Sequence, residues 1–169
     1  MKNKGEELAA ILTNFGNCCF FLHNTKEITV AEKIISDGFI FENQLPHSTD
    51  RVNPKETIEI TYFLFQRKDY GTYTMIIAIP KNTYEKYTRI SNEIDVDIEE
   101  VMSAADPWKG DNDEPVYRIP PAHILGYFNN KTGEFRENIS WDPLFDNTLI
   151  RKPVKTPFSR KKPDTGPSR

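Results

Sequence analysis

The sequence predicts an α+β domain, in which short strands form a split or mixed β-sheet with helices packed on its faces. Two observations carry that expectation. Segments whose apolar residues recur at helical spacing alternate with short apolar runs bounded by turn formers. The composition, 37% hydrophobic with 11 Phe, 7 Tyr and 2 Trp in 169 residues, supplies enough apolar material for a layered core. It also excludes a disordered or low-complexity chain. No internal repeat is visible. The expected division is one globular domain over 1–148 and a basic, proline-rich extended tail over 149–169.

Taken in order, the first helix is read over 6–15, where Leu8, Ile11, Leu12 and Phe15 share a face and Gly16 ends it. Cys18-Cys19-Phe20-Phe21-Leu22 is a short apolar run ending at His23-Asn24-Thr25, hence a buried strand. Thr29 and Glu32 have the spacing of a capping box for a second helix, with Val30, Ala31, Ile34 and Ile35 as its apolar face and Gly38 as its stop. Phe39-Ile40-Phe41 returns as a strand, and 43–53 reads as a polar loop holding His47-Ser48-Thr49-Asp50. The stretch 53–67 carries conflicting signals. Its β-branched and aromatic run from Thr57 to Phe63 favours a strand. Asn53-Pro54-Lys55-Glu56 looks like a helix start, and the agreement of its signals decides for helix.

Tyr73 to Pro80 follows a Gly71 turn and reads as a central strand. Helices are expected from Asn82 and around 97–105. Strands at 116–119 and 124–128 are joined by Pro120-Pro121-Ala122-His123, and Asn130-Lys131-Thr132-Gly133 is a turn leading to Glu134-Phe135.

The net charge of −3 conceals an imbalance. Residues 151–169 hold seven basic residues and one acid, a charge of +6, so residues 1–150 carry −9. Nine acids stand against Lys109 alone in 93–114, a pattern whose simplest reading is a solvated helix face and an exposed loop. Cys18 and Cys19 are adjacent, and a ring closed between them would strain the intervening peptide. They are expected as free thiols on opposite faces of a strand. Neither they nor His23, His47 and His123 have metal-ligand spacing, so no metal site is expected. No run of 18 apolar residues occurs, and the first residues lack a signal peptide's apolar stretch. The expectation is a cytoplasmic protein without membrane contact. No Gly-x-Gly-x-x-Gly or P-loop is present, which leaves Rossmann and Walker modes of nucleotide binding unsupported.

Three elements stand in a suggestive order. His23-x-Thr25 ends a buried strand, and a helix closing on Gly38-Phe39 follows. A middle region then holds Ser48, Thr49, Tyr62, Tyr70 and Tyr73. Last comes Glu114, opening the strand–turn–strand segment Pro115-Val116-Tyr117-Arg118-Ile119-Pro120-Pro121-Ala122-His123-Ile124-Leu125-Gly126-Tyr127. Over about residues 19–128 this order resembles the His–Tyr–Glu-like branch of the ADP-ribosyltransferase superfamily. The resemblance implies that family's fold and NAD as the substrate, cleaved at its nicotinamide–ribose bond. It further implies transfer of ADP-ribose to an unknown macromolecular acceptor, or to water in an NAD glycohydrolase. Glu114, His23 and Tyr73 are then the implied catalytic residues. His23, Thr25, Ser48, Thr49, Arg67, Tyr70 and Tyr73 are the implied cofactor-binding residues. Tyr70 and Tyr73 are alternative stackers on nicotinamide, and Arg67 with Lys68 would face the pyrophosphate. Charge chemistry agrees with the role given to Glu114. Bond cleavage builds positive charge on the sugar, which a nearby carboxylate stabilises.

Two other readings compete. In one, the domain is a non-catalytic interaction module whose acidic 93–114 surface binds a protein partner. In the other, Arg160-Lys161-Lys162 in the tail touches nucleic acid or an anionic surface. Nucleic acid is expected nowhere else, because the −9 body repels it.

Overall fold

A computed structural model describes residues 3–103, 108–109 and 115–150. Along the chain the elements are α1 (Lys4–Thr13), β1 (Cys18–Thr25), α2 (Ile28–Asp37), β2 (Phe39–Glu42), β3 (Asp50–Val52), α3 (Thr57–Gln66) and β4 (Tyr73–Pro80). There follow α4 (Lys81–Ile94), α5 (Ile98–Met102), β5 (Trp108–Lys109), β6 (Pro115–Ile119), β7 (Ile124–Asn129), β8 (Phe135–Glu137) and α6 (Asn147–Ile150). Five strands form one sheet in the order β3-β1-β4-β7-β8, and three form a second in the order β2-β6-β5. The α+β class is as expected, and of the split or mixed sheet that the sequence predicts the strands form two sheets, with every pairing among the described strands antiparallel. None of the described helices is long and apolar enough to cross a membrane.

Strand alternation divides the apolar residues between two cores. Cys19, Phe21, Met75, Ile77 and Ile79 face one side, where α2, α4, α5 and the smaller sheet close over them. Phe20, Leu22, Ile76 and Ala78 face the other, covered by Leu8 and Leu12 of α1 and by Ile60, Phe63 and Leu64 of α3. In β7 a bulge interrupts the alternation: Ile76 pairs with Gly126 but Ile77 with Ile124. Ile124 and Tyr127 therefore reach the same core although three positions apart. Gly126, at φ 151°, suits this bend, and a Cβ there would meet the Arg136 carbonyl of β8.

Several element boundaries differ from expectation for local reasons. The first helix begins at Lys4, not residue 6, because Asn3 and Glu6 form the capping box, with Asn3 Oδ1 accepting from Glu6 N and Glu6 Oε1 from Asn3 N, each at 2.8 Å. The expected box at Thr29 and Glu32 is absent: α2 starts at Ile28 with no side-chain cap. Glu32 is committed elsewhere, accepting from Tyr127 Oη at 2.5 Å and Arg136 Nε at 2.6 Å. Asn53 does not cap α3, which starts at Thr57. Its Oδ1 instead closes a short turn on Lys55 N at 3.0 Å. The loop 43–53 contains β3, paired to β1. The acidic stretch is not uniformly solvated. Glu99 and Glu100 are only 5% and 1% exposed, and Glu99 Oε2 accepts from Leu45 N at 3.0 Å. Cys18 and Cys19 are free thiols packed against opposite cores.

Candidate functional site

Where β1 runs out of its sheet, Leu22, His23, Asn24 and Thr25 form one wall of an open cleft of about 750 Å³. The turn Pro46-His47-Ser48-Thr49 and Asp50 form a second wall, and Phe63, Arg67 and Tyr70 at the end of α3 form a third. Three separate segments therefore converge, and specific bonds hold each in place.

The floor is set by polar ties between β1 and the turn after α3. Asn24 Nδ2 donates to the Arg67 carbonyl at 3.1 Å and the Gly71 carbonyl at 3.4 Å, while Asn24 Oδ1 accepts from Thr74 Oγ1 at 2.8 Å. Gly71, at φ 148°, lies so close to the Thr25 backbone that a Cβ would collide with the Thr25 carbonyl. The second wall is anchored from below. Thr49 Oγ1 donates to the Leu45 carbonyl at 3.0 Å, and Leu45 N is itself bound by the buried Glu99.

His23 joins two walls. Its Nδ1 lies 2.8 Å from the Ser48 carbonyl, a pure acceptor, so Nδ1 carries the proton and donates. Nε2 is then left as an acceptor. Burial pushes the His23 pKa below its ordinary value, against the opposing pull of the Ser48 carbonyl, so the ring is neutral at pH 7. Its ring packs against Phe39 of β2, tilted by 54° with centroids 4.8 Å apart. Across the cleft, Arg67 Nε donates to Asp50 Oδ2 at 3.0 Å, and its guanidinium lies 5.5 Å from the Tyr70 ring centroid. Tyr70 remains 59% exposed, leaving ring surface for a planar ligand.

Of the residues nominated from sequence, His23, Thr25, Ser48, Thr49, Arg67 and Tyr70 all line this cleft. Tyr73 does not: its ring packs edge-on to Tyr127 at 5.5 Å, on the side of the sheet that α2 covers. Glu114 and the tail 151–169 lie outside the described residues. The strand after Glu114, β6, pairs with β2 from Val116 opposite Glu42 to Ile119 opposite Phe39, the residue that packs on His23. Sequence reasoning passed over Asn24, Asp50 and Phe63. Asp50 was visible in the polar loop, but its pairing with Arg67 spans 17 positions and has no local signature. Among the described residues, no three His, Cys, Asp or Glu side chains are grouped to hold a metal ion.

No family model, curated protein or solved structure matches the chain.

Proposed function

We propose that the cleft at the end of β1 binds NAD and that the protein cleaves its nicotinamide–ribose bond, transferring ADP-ribose to an acceptor or to water. One observation carries the reading: six residues nominated from three distant segments, His23, Thr25, Ser48, Thr49, Arg67 and Tyr70, line a single cleft of nucleotide-accommodating size.

The chemistry of that lining suits a nucleotide. A neutral His23 with its proton fixed on Nδ1 offers Nε2 to a hydroxyl donor, which a ribose supplies and a phosphate does not. The exposed face of Tyr70 offers a stacking surface, so this ring takes the role that sequence reasoning divided between Tyr70 and Tyr73. Arg67, its Nε engaged by Asp50, keeps its other guanidinium N–H groups for a phosphate oxygen, and Lys26 stands on the same rim beside Glu27. Thr49 already spends its hydroxyl proton on Leu45, which leaves an oxygen lone pair as its remaining polar contribution. The Glu114 carboxylate is assigned to the positive charge that develops on the sugar as the bond breaks. Burial of Glu99 and Glu100 removes two carboxylates from the acidic surface that the interaction-module reading requires.

Calorimetric titration with NAD and measurement of nicotinamide release test the proposal together. Wild type is expected to bind NAD and release nicotinamide. Tyr70→Ala should weaken binding about tenfold, the equivalent of one aromatic stack. Glu114→Gln should keep binding and thermal stability but lose at least about a hundredfold in turnover. Unchanged nicotinamide release by Glu114→Gln would remove the catalytic assignment, and absence of NAD binding by wild type would remove the whole reading.

A further inference from the structure

A second concavity, of about 430 Å³, lies at the opposite end of β1, lined in part by Asn17, Cys18, Cys19, Arg51, Asn53 and Lys81. We propose that it is an anion site that takes the phosphate group of a small molecule. On β3 the two hollows adjoin, Asp50 lining the cleft and Arg51 this concavity, but successive side chains of a strand point to opposite faces. Along β1 Cys19 precedes His23 by four residues, about 13 Å at 3.3 Å per residue. The concavity is therefore a different site from the cleft.

Arg51 is the first cation of this concavity. This exposed side chain is held by three contacts, none of them a carboxylate. Its guanidinium lies 5.8 Å from the Phe21 ring centroid and 5.2 Å from that of Tyr84, and Nη2 donates to Cys19 Sγ at 3.2 Å. Among the described residues, no carboxylate stands at ion-pair distance from Arg51 or from Lys81. An arginine ordered in advance and left without its counter-charge has already given up the side-chain freedom that ligand binding would cost.

Lys81 brings the second positive charge from another element. It is the first residue of α4, a helix of 14 residues with no acid in its first turn, and its backbone N–H is tied to the Asn17 carbonyl. Arg51 and Lys81 both favour the charged form of the Cys19 thiol, and Glu85, one turn beyond Lys81 on α4, opposes them there. Burial outweighs the two cations and keeps the pKa of that thiol above its ordinary value, so sulfur supplies no neutralising charge. Glu59 is the one acid in the lining, and one of its oxygens is engaged, with Oε1 accepting from Asn53 N at 3.1 Å. Asn53 directs its Oδ1 to Lys55 N, which leaves its NH₂ to donate. A fixed guanidinium, an ammonium and amide donors around one hollow match a doubly charged tetrahedral group better than a single carboxylate.

The test is a two-dimensional NMR titration of the full chain at constant ionic strength, with inorganic phosphate in one arm and glycerol phosphate in the other. Both arms should give saturable shifts at Asn17, Arg51 and Lys81 at millimolar concentrations, with Thr25 and Tyr70 unmoved. A tighter fit for glycerol phosphate identifies a phosphate monoester as the ligand, and equal affinities identify free phosphate. Arg51→Gln and Lys81→Gln should each weaken binding about tenfold, the loss expected for one charge-assisted contact, and Lys81→Arg should restore it. Both side chains are exposed, and the same spectra report whether each variant is folded. Absence of saturable shifts in wild type, or affinities unchanged in both charge-removing variants, would overturn the proposal.

Discussion

Glu32 and His123 show how single residues fix the protein's answer to acid, each in its own pH window. Arg136 donates to both oxygens of Glu32, from Nε at 2.6 Å and Nη2 at 3.0 Å, and Tyr127 donates its hydroxyl. These bonds hold the Glu32 pKa down at about 2. Burial and the adjacent Glu32 carboxylate in turn push Tyr127 up to about 12. His123 is fully buried, its Nε2 2.7 Å from Tyr87 Oη, which also accepts from Asn147 N at 3.0 Å. Burial drives His123 down to about 4, against the opposing charges of Asp146 and Asp142. A lowered histidine pKa means that the fold favours the neutral ring. That contribution is present above the ordinary pKa near 6.5 and is lost as pH falls towards 4, by up to about 3 kcal/mol. The lowered Glu32 pKa acts in a lower window: its contribution is present above about 4.5 and is lost as pH falls towards 2. Partial exposure of this pair to water screens it and makes its contribution smaller than that of the buried His123. Urea unfolding between pH 7 and pH 3 is therefore expected to show falling stability through both windows. His123→Gln should flatten the upper part and Arg136→Gln the lower. A wild-type stability that stays level from pH 6.5 to 5 would contradict a neutral, buried His123.

At the scale of elements, α3 is the instructive case because it is apolar on both faces. Ile60, Phe63 and Leu64 are buried against α1 and the sheet, while Ile58, Tyr62 and Phe65 stand 83%, 60% and 65% exposed. The two sets should respond to substitution very differently. Phe63→Ala is expected to cost about 3 kcal/mol through lost burial and the cavity left behind. Ile58→Ser should change stability by no more than about 0.5 kcal/mol. Thermal unfolding of the two variants measures both, and a cost at Ile58 comparable to that at Phe63 would mean that the outer face is covered in solution. The same helix shows what sequence can and cannot carry. Its existence was legible, but its start was not, because Asn53 had two local uses and only the folded chain shows that it serves a turn. Strands were the clearest elements, since a run such as Tyr73 to Pro80 is apolar on both faces and bounded by a Gly turn. The candidate cleft was legible wherever its residues followed such strands or stood in an evident polar loop, as His23, Thr25, Ser48 and Thr49 do. The Asn24–Arg67 and Asp50–Arg67 ties were not, because they depend on the return of α3 to β1. Tyr73 could have been placed by strand alternation alone: it is in phase with Met75 and Ile77, whose side of the sheet is closed by helices.

For the whole molecule, the decisive feature is that both cores share one strand. β4 pairs with β1 on one side and β7 on the other, and sends Met75, Ile77 and Ile79 into one core and Ile76 and Ala78 into the other. β4 cannot leave its place without both cores coming apart, because each would lose the strand that forms its floor. Loss of β4 from its sheet removes the pairing that supports β1, and with it β3. The expectation is a single cooperative transition despite two cores and two sheets. Trp141 offers a reporter for one core alone: its ring lies 5.6 Å from Phe15, and its indole N–H donates to the Ala78 carbonyl at 2.9 Å. The sequence holds 2 Trp, so a Trp108→Phe background leaves Trp141 as the sole indole emitter. In that background Ile77→Ala, which empties space only in the opposite core, should lower stability by about 2–4 kcal/mol. Cooperativity requires the denaturation midpoint seen by Trp141 fluorescence to shift as far as that seen by far-ultraviolet circular dichroism. Two faces that unfolded independently would instead leave the Trp141 transition at its original midpoint while the dichroism signal moved. The shared strand makes the first outcome the expected one, because the side chain removed at Ile77 lies between two β4 residues that pack in the core reported by Trp141.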